Sequence, residues 1–223
     1  MSAEIARRDG GLFHVKQSII DLTAVPSALT ASADQVDKLK TYLSLLEKWQ
    51  AKINLVSNTT LADAWHRHIL DSAQLAPFVT TGGERPVVAD LGSGAGFPGM
   101  VLAILGVGDV HLVESDTRKA AFLNEVRRAT GADVTVHAVR IENYEGPMAD
   151  IIVSRALAPL DKLLGYARDV ARPGARAVFL KGRQWQDELT GARAAWHIEL
   201  EKYPSVADPD GVILDIHEFD TLP

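Results

Sequence analysis

Apolar positions along the chain follow two rhythms, one helical and one extended. Val36, Leu39, Leu43, Leu46, Gln50 and Ile53 recur at three- and four-residue steps behind Ser32-Ala33-Asp34-Gln35, which reads as a capping box, so an amphipathic helix is predicted there. Asn54 to Asn58 make a connection, and Leu61, Trp65, Ile69 and Leu75 mark a second helix that should stop near Pro77. After the turn-rich stretch Thr80 to Pro86 the rhythm changes. Short apolar runs at Val87 to Leu91, Val110 to Val113, Val134 to Ala138, Asp150 to Ser154 and Ala175 to Lys181 read as strands. Helical patterns at Lys119 to Thr130 and Leu160 to Ala171 fall between them, which predicts parallel βαβ units. Only Pro204 to Gly211 separates the last two strands, Trp196 to Tyr203 and Val212 to Phe219, so these form a hairpin and one strand runs antiparallel. The fold class is α/β with two or three helices ahead of a mostly parallel sheet. Three parts are expected: a mobile leader or short helix over 1–31, a helical part over 32–80, and the sheet domain over 86–223.

The first strand ends in the densest glycine cluster of the chain, Asp90-Leu91-Gly92-Ser93-Gly94-Ala95-Gly96-Phe97-Pro98-Gly99. Glycines there let the backbone take positive φ and approach a ligand, with the opening amides of the next helix turned outward. A literal G-x-G-x-x-G exists at Gly94, Gly96 and Gly99. The strand, however, is followed at once by Gly92, and in that frame the third dinucleotide glycine is replaced by Phe97. Asp90 repels a pyrophosphate but suits a ligand carrying an ammonium and a sulfonium, as S-adenosylmethionine does. The second strand ends in Glu114, twenty-two residues after Gly92, where an acid accepts hydrogen bonds from the ribose hydroxyls of an adenosine. That spacing serves NAD and S-adenosylmethionine alike.

Composition narrows the setting. The 223 residues are 47% apolar, enough for one sizeable core, and the absence of cysteine excludes a disulfide framework and thiolate metal ligation. No apolar run approaches the roughly 18 residues of a membrane span, and Arg7, Arg8 and Asp9 are not followed by a signal-like apolar core, so a cytoplasmic protein without membrane contact is expected. The net charge of −6 at first argues against nucleic acid. Its distribution softens that, because residues 1–113, 114–193 and 194–223 carry −2, +2 and −6. The acidity belongs to the C-terminal stretch, and the middle segment is free to present a basic face.

Three successive strand ends carry a cation: Arg140, Arg155 and Lys181. Open α/β sheets bind ligands along that rim, so these three are candidates for an anionic substrate or a cofactor carboxylate. No metal is expected, since His66 and His68 stand two apart, do not share a helical face and lack a completing carboxylate. His68 is read as packing or capping.

The set Asn54-Leu55-Val56-Ser57, His66-Arg67-His68-Ile69-Leu70-Asp71-Ser72, Asp90 to Gly99, Ser154-Arg155-Ala156 and Leu180-Lys181-Gly182 resembles, in order, the motifs of the family of small-subunit ribosomal RNA methyltransferase G, also called glucose-inhibited division protein B. The resemblance runs from about residue 36 to 183. It implies a class I, Rossmann-like S-adenosylmethionine-dependent methyltransferase with a seven-stranded sheet and an N-terminal helical extension, acting on N7 of one guanine in 16S ribosomal RNA or the small subunit; separately from the resemblance, a monomer is expected. Matched position by position, it implies cofactor contacts from Gly92 and Phe97 in the glycine turn, from Ile141 and Glu142 beside the adenine, and from Arg155; Glu114 stands where relatives often carry aspartate. By their place in the turn, Asp90, Gly94 and Gly96 join the cofactor set, while Arg140 and Lys181 are assigned to RNA phosphates. Two other classes fit the turn: a nicotinamide oxidoreductase, and an S-adenosylmethionine-binding regulator without catalysis.

Overall fold

The computed structural model describes residues 31–80 and 83–222. The expected leader therefore lies, but for Ala31, outside the described residues. Helix α1 spans Ala33–Gln50 and opens with a formed capping box, Ser32 Oγ accepting from the Gln35 amide and the Gln35 side chain accepting from the Ser32 amide. The second predicted helix is broken into pieces: α2 (Asn58–Leu61), a π-helical turn at Trp65–Leu70, α3 (Asp71–Ala73) and α4 (Ala76–Val79). Pro77 does not end it, because it falls in the first turn of α4, where its missing N–H has no intrahelical partner to lose.

The strands are β1 (Val87–Leu91), β2 (Asp109–Val113), β3 (Val134–His137), β4 (Ala149–Arg155), β5 (Ala171–Lys181), β6 (Trp196–Pro204) and β7 (Val212–Thr221). They form one seven-stranded sheet in the order β3-β2-β1-β4-β5-β7-β6, with β7 antiparallel to both neighbours and the rest parallel. The register of β5 on β4 jumps from Ala171 to Arg176 around Pro173-Gly174, so the predicted turn survives as an irregularity inside a longer strand.

Helices α5 (Gly99–Ile104), α6 (Thr117–Thr130), α7 (Leu160–Val170) and α8 (Trp185–Ala192) cover the sheet. One core joins α5, α6 and the N-terminal helices to one face, through Leu39, Tyr42, Met100 and Phe122; the other joins α7 and α8 to the opposite face through Leu163, Leu164, Phe179 and Leu214. The N-terminal helices thus share a core with the sheet. Tyr42, fully buried on α1, donates its hydroxyl hydrogen bond to the carbonyl of Ala95 in the glycine turn and stacks on Phe97 at 5.2 Å. Tyr42→Phe keeps the ring but leaves a buried carbonyl unpaired, so a loss of about 1–2 kcal/mol is expected in urea unfolding. An unchanged midpoint would show that this tie does not hold helix and turn together.

Candidate functional site

The order of strands reverses between β1 and β4, which opens a crevice beyond their carboxyl ends. The glycine turn enters it from below. Gly92, Gly94 and Gly96 have φ of 66°, 58° and 95°. At Gly92 the left-handed backbone is matched by space, since a Cβ there would meet Leu157 Cδ1 at 2.4 Å. At Gly94 nothing but a carbonyl at 3.8 Å is near, so the backbone faces open space.

Glu114, at the end of β2, is nearly buried and holds this turn: one carboxylate oxygen accepts from the Gly94 amide at 2.7 Å and the other from the Asp116 amide at 2.7 Å. A cavity of about 610 Å³ stands above it. Of the expected site residues, Gly92, Gly94, Phe97, Glu114, Arg140, Ile141, Glu142 and Arg155 line this cavity, along with Lys119 and Val139, which the sequence did not single out. Arg140 is exposed; its carbonyl accepts from the Asn143 amide at 3.0 Å, and among the described residues nothing makes a hydrogen bond or ion pair with its guanidinium.

Three expected site residues, Asp90, Gly96 and Lys181, do not line this cavity. Asp90 lies beneath the turn, fully buried, with Oδ2 accepting from the Gly99 amide at 3.0 Å and Oδ1 without a partner among the described residues. It braces the opening of α5. Gly96 likewise sits under the turn, where a Cβ would strike the Tyr42 hydroxyl at 2.6 Å. Lys181 is not a free cation on the rim. Its Nζ is buried, donating to Glu188 at 2.6 Å and to the Ala158 carbonyl at 2.8 Å, and Glu188 also accepts from the Leu160 amide at 3.0 Å. These bonds anchor the connection from β4 to α7, in which Ala156 takes φ 54°, a strained conformation for a residue with a Cβ.

Arg155 is the hub. Its guanidinium donates to the Arg67 carbonyl at 3.1 Å, to Asp71 at 3.0 Å and to His68 Nδ1 at 3.1 Å, and lies 5.0 Å from the centre of the Phe97 ring. Burial, then Arg155 and Arg67, push the His68 pKa down to about 4. The ring is therefore neutral at pH 7; with Nδ1 accepting from Arg155, Nε2 carries the proton and donates to Thr60 at 3.0 Å. His68 also stacks on Phe97 at 4.9 Å, so it packs, as expected, but inside the site. Asp71 and Arg67 were not singled out. Arg67 projects from the π-helical turn, a feature common at functional sites and invisible to a 3.6-residue periodicity, and Asp71 opens α3 directly after it.

Thr60, His68, Arg155, Ala156 and Leu157 form the wall between the first cavity and a second of about 820 Å³, bounded by Arg67, Asp71, Lys181, Arg183 and the β6–β7 loop. Sequence spacing did not find this second cavity, because the loop that closes it is held by tertiary contacts such as Gln74 with Ser205 and the Val206 amide.

Two buried groups give stability opposite pH slopes. Burial pushes the Asp90 carboxyl up to about 7, so the folded chain keeps a proton that the unfolded chain has released, and this contribution weakens as pH rises from about 4 to about 7. His68 does the reverse: below pH 6.5 the unfolded chain takes up a proton that the folded chain refuses, and stability falls as pH falls towards 4. The slopes oppose one another between about pH 4 and 6.5. Asp90→Asn keeps an acceptor for Gly99 and removes one of the two, so its stability relative to wild type should drop on acidification by up to about 1.4 kcal/mol per pH unit. Parallel urea-midpoint curves for the two proteins would contradict this.

The fold built by this seven-stranded sheet and its helices is shared with solved methyltransferases. The crystal structure of TYW2 from M. jannaschii in complex with AdoMet superposes with a TM-score of 0.55 at 16% identity, covering 77% of this chain and 80% of that one. A SAM-dependent methyltransferase from Aquifex aeolicus gives 0.54 at 16% identity, covering 69% and 92%. The fold is that of the S-adenosylmethionine-dependent methyltransferases. The sequence profile described as rRNA small subunit methyltransferase G matches residues 35–210. Ribosomal RNA small subunit methyltransferase G of Rhodospirillum centenum is 52% identical over 88% of this chain and 90% of its own length, and that of Rhodospirillum rubrum is 48% identical over 87% and 96%. The chain belongs to the rRNA small subunit methyltransferase G family.

Proposed function

We propose that the protein transfers a methyl group from S-adenosylmethionine to N7 of one guanine in 16S ribosomal RNA, naked or within the small subunit. The observation that carries the reading is the pair of cavities sharing one wall, the first floored by the glycine turn and Glu114, the second open to solvent beside it. S-adenosylmethionine, when bound, supplies an electrophilic methyl on a sulfonium. Glu114 has spare lone pairs facing the first cavity and suits ribose hydroxyls. Val139 and Ile141 offer an apolar flank for an adenine, with Glu142 next to them. The cation Arg155 on the wall of that cavity suits a carboxylate.

Guanine N7 has a lone pair and no proton, so no general base is required; the residues must position the acceptor and exclude water. The shared wall fits that need. His68, its one titratable base, is neutral with both ring nitrogens engaged, and Arg155 is held by Asp71.

Glu114→Gln tests the first cavity. A carboxamide has one acceptor oxygen in place of two, so either Gly94 or Asp116 loses its partner, and the affinity for S-adenosylmethionine measured by calorimetry should fall about tenfold or more. NADH should not bind to wild type. Unchanged affinity in the variant, or competition by NADH, would contradict the cofactor assignment. Binding without transfer to any ribosomal RNA would support the regulatory alternative.

A further inference from the structure

Four arginine and lysine side chains line the second cavity, and each is paired with a carboxylate that lines it too: Arg155 with Asp71, Lys181 with Glu188, Arg67 with Asp208 and Arg183 with Asp210. The pairs differ in their access to water. Arg155–Asp71 and Lys181–Glu188 are largely buried and further bonded to backbone carbonyls. The other two are open: side-chain exposure is 36% and 32% for Arg67–Asp208, and 83% and 54% for Arg183–Asp210.

Both open pairs take their acid from one short loop, between β6 and β7, in the acidic C-terminal stretch. Asp208 accepts from Arg67 at 3.2 Å, and two residues on Asp210 accepts from Arg183 at 3.2 and 3.0 Å. The loop is held in place, since Gln74 grips Ser205 and the Val206 amide, and the Arg67 guanidinium also reaches the Ala207 carbonyl. Two arginines at a cavity mouth are thus covered by two carboxylates on a fixed arm. A carboxylate and a phosphate present a guanidinium with the same charge and the same pair of acceptor oxygens.

We propose that Asp208 and Asp210 are stand-ins for RNA phosphates, holding Arg67 and Arg183 at the mouth of the acceptor cavity until the phosphates of the correct RNA displace them. The proposal rests on the acceptor being RNA. Its consequence is specificity: stray RNA gains little by replacing one anion with another, whereas an RNA whose phosphates match both arginines, and whose guanine also fills the cavity, gains enough to exchange them. A protein of net charge −6 thereby keeps arginines for RNA without a bare basic surface.

The test is binding of a fluorescent single-stranded uridine oligoribonucleotide by anisotropy, across a salt titration. In Asp208→Asn/Asp210→Asn the arginines are uncovered, and affinity should rise about two- to fivefold per residue. The slope of log K against log salt should steepen by up to about 1.4, the value for two extra single-strand phosphate contacts. Glu218→Gln/Asp220→Asn removes the same charge from exposed positions at the other end of the hairpin, and should change neither. Equal effects from the two double variants, or none from either, would overturn the proposal, as would no measurable RNA binding by any of the proteins. Methyl transfer is read separately on the same preparations. The expected binding pattern without transfer would leave this inference standing and defeat the proposed reaction; transfer without the pattern would do the opposite.

Discussion

Arg155→Ala is expected to lower methyl transfer at least about a hundredfold while also weakening the fold. The guanidinium joins the end of β4 to the π-helical turn through the Arg67 carbonyl and Asp71, orients the His68 ring and covers Phe97. Its removal frees the wall common to both cavities, and displacements of about 1 Å between reacting groups cost two orders of magnitude. Asp71, 13% exposed, would be left without its cation. A fully buried orphaned charge costs about 3–5 kcal/mol, and the residual exposure here brings the expected loss to about 2–3 kcal/mol. Arg155→Lys separates the two effects: the ammonium can still neutralise Asp71 but cannot reach all three acceptors from one planar fork. Stability should recover more than activity in single-turnover assays. Near-normal transfer by Arg155→Ala would remove this residue from the site.

Gly94→Asp should abolish cofactor binding without unfolding the chain. A Cβ at Gly94 meets nothing closer than 3.8 Å, and aspartate tolerates a φ of 58° better than most residues, so the turn can form. The new carboxylate then projects into the first cavity beside Glu114, filling volume and adding like charge where the proposed adenosine hydroxyls must approach. Affinity for S-adenosylmethionine by calorimetry should fall beyond about a hundredfold, with an unfolding midpoint close to wild type. Retained affinity would show that the glycine turn does not floor the cofactor site.

Much of this arrangement was legible in the sequence because it depends on local chemistry. β-branched runs separated by helical periodicities fixed the parallel sheet, and the eight-residue gap between the last strands implied the hairpin. Spacing along one βαβ unit was enough to bring Gly92, Gly94 and Glu114 to the first cavity. Helix α8 went unread, although Trp185, Leu189 and Ala192 carry its four- and three-residue steps, because only Leu189 and Ala192 are buried and the other positions are mostly polar. Side-chain direction was harder. Asp90 sits at the expected strand end, yet its carboxylate turns beneath the loop to the Gly99 amide, and Lys181 at its strand end turns inward to Glu188. A position at the carboxyl end of a strand places a residue near the ligand rim. It does not decide whether the side chain faces the ligand or supports the wall. Arg67 and Asp71 were read only as part of a motif, and the β6–β7 loop only as a hairpin connection, for a related reason, since they reach the site only through long-range contacts with Arg155, Asp208 and Ser205.

The most direct measurement is transfer of tritiated methyl from S-adenosylmethionine to small ribosomal subunits from a strain lacking the family enzyme, followed by nucleoside digestion and mapping of the label. The account predicts label recovered as 7-methylguanosine at a single 16S position, lost in Arg155→Ala. Label on another atom or another RNA, or no label from a protein that binds the cofactor, would contradict it.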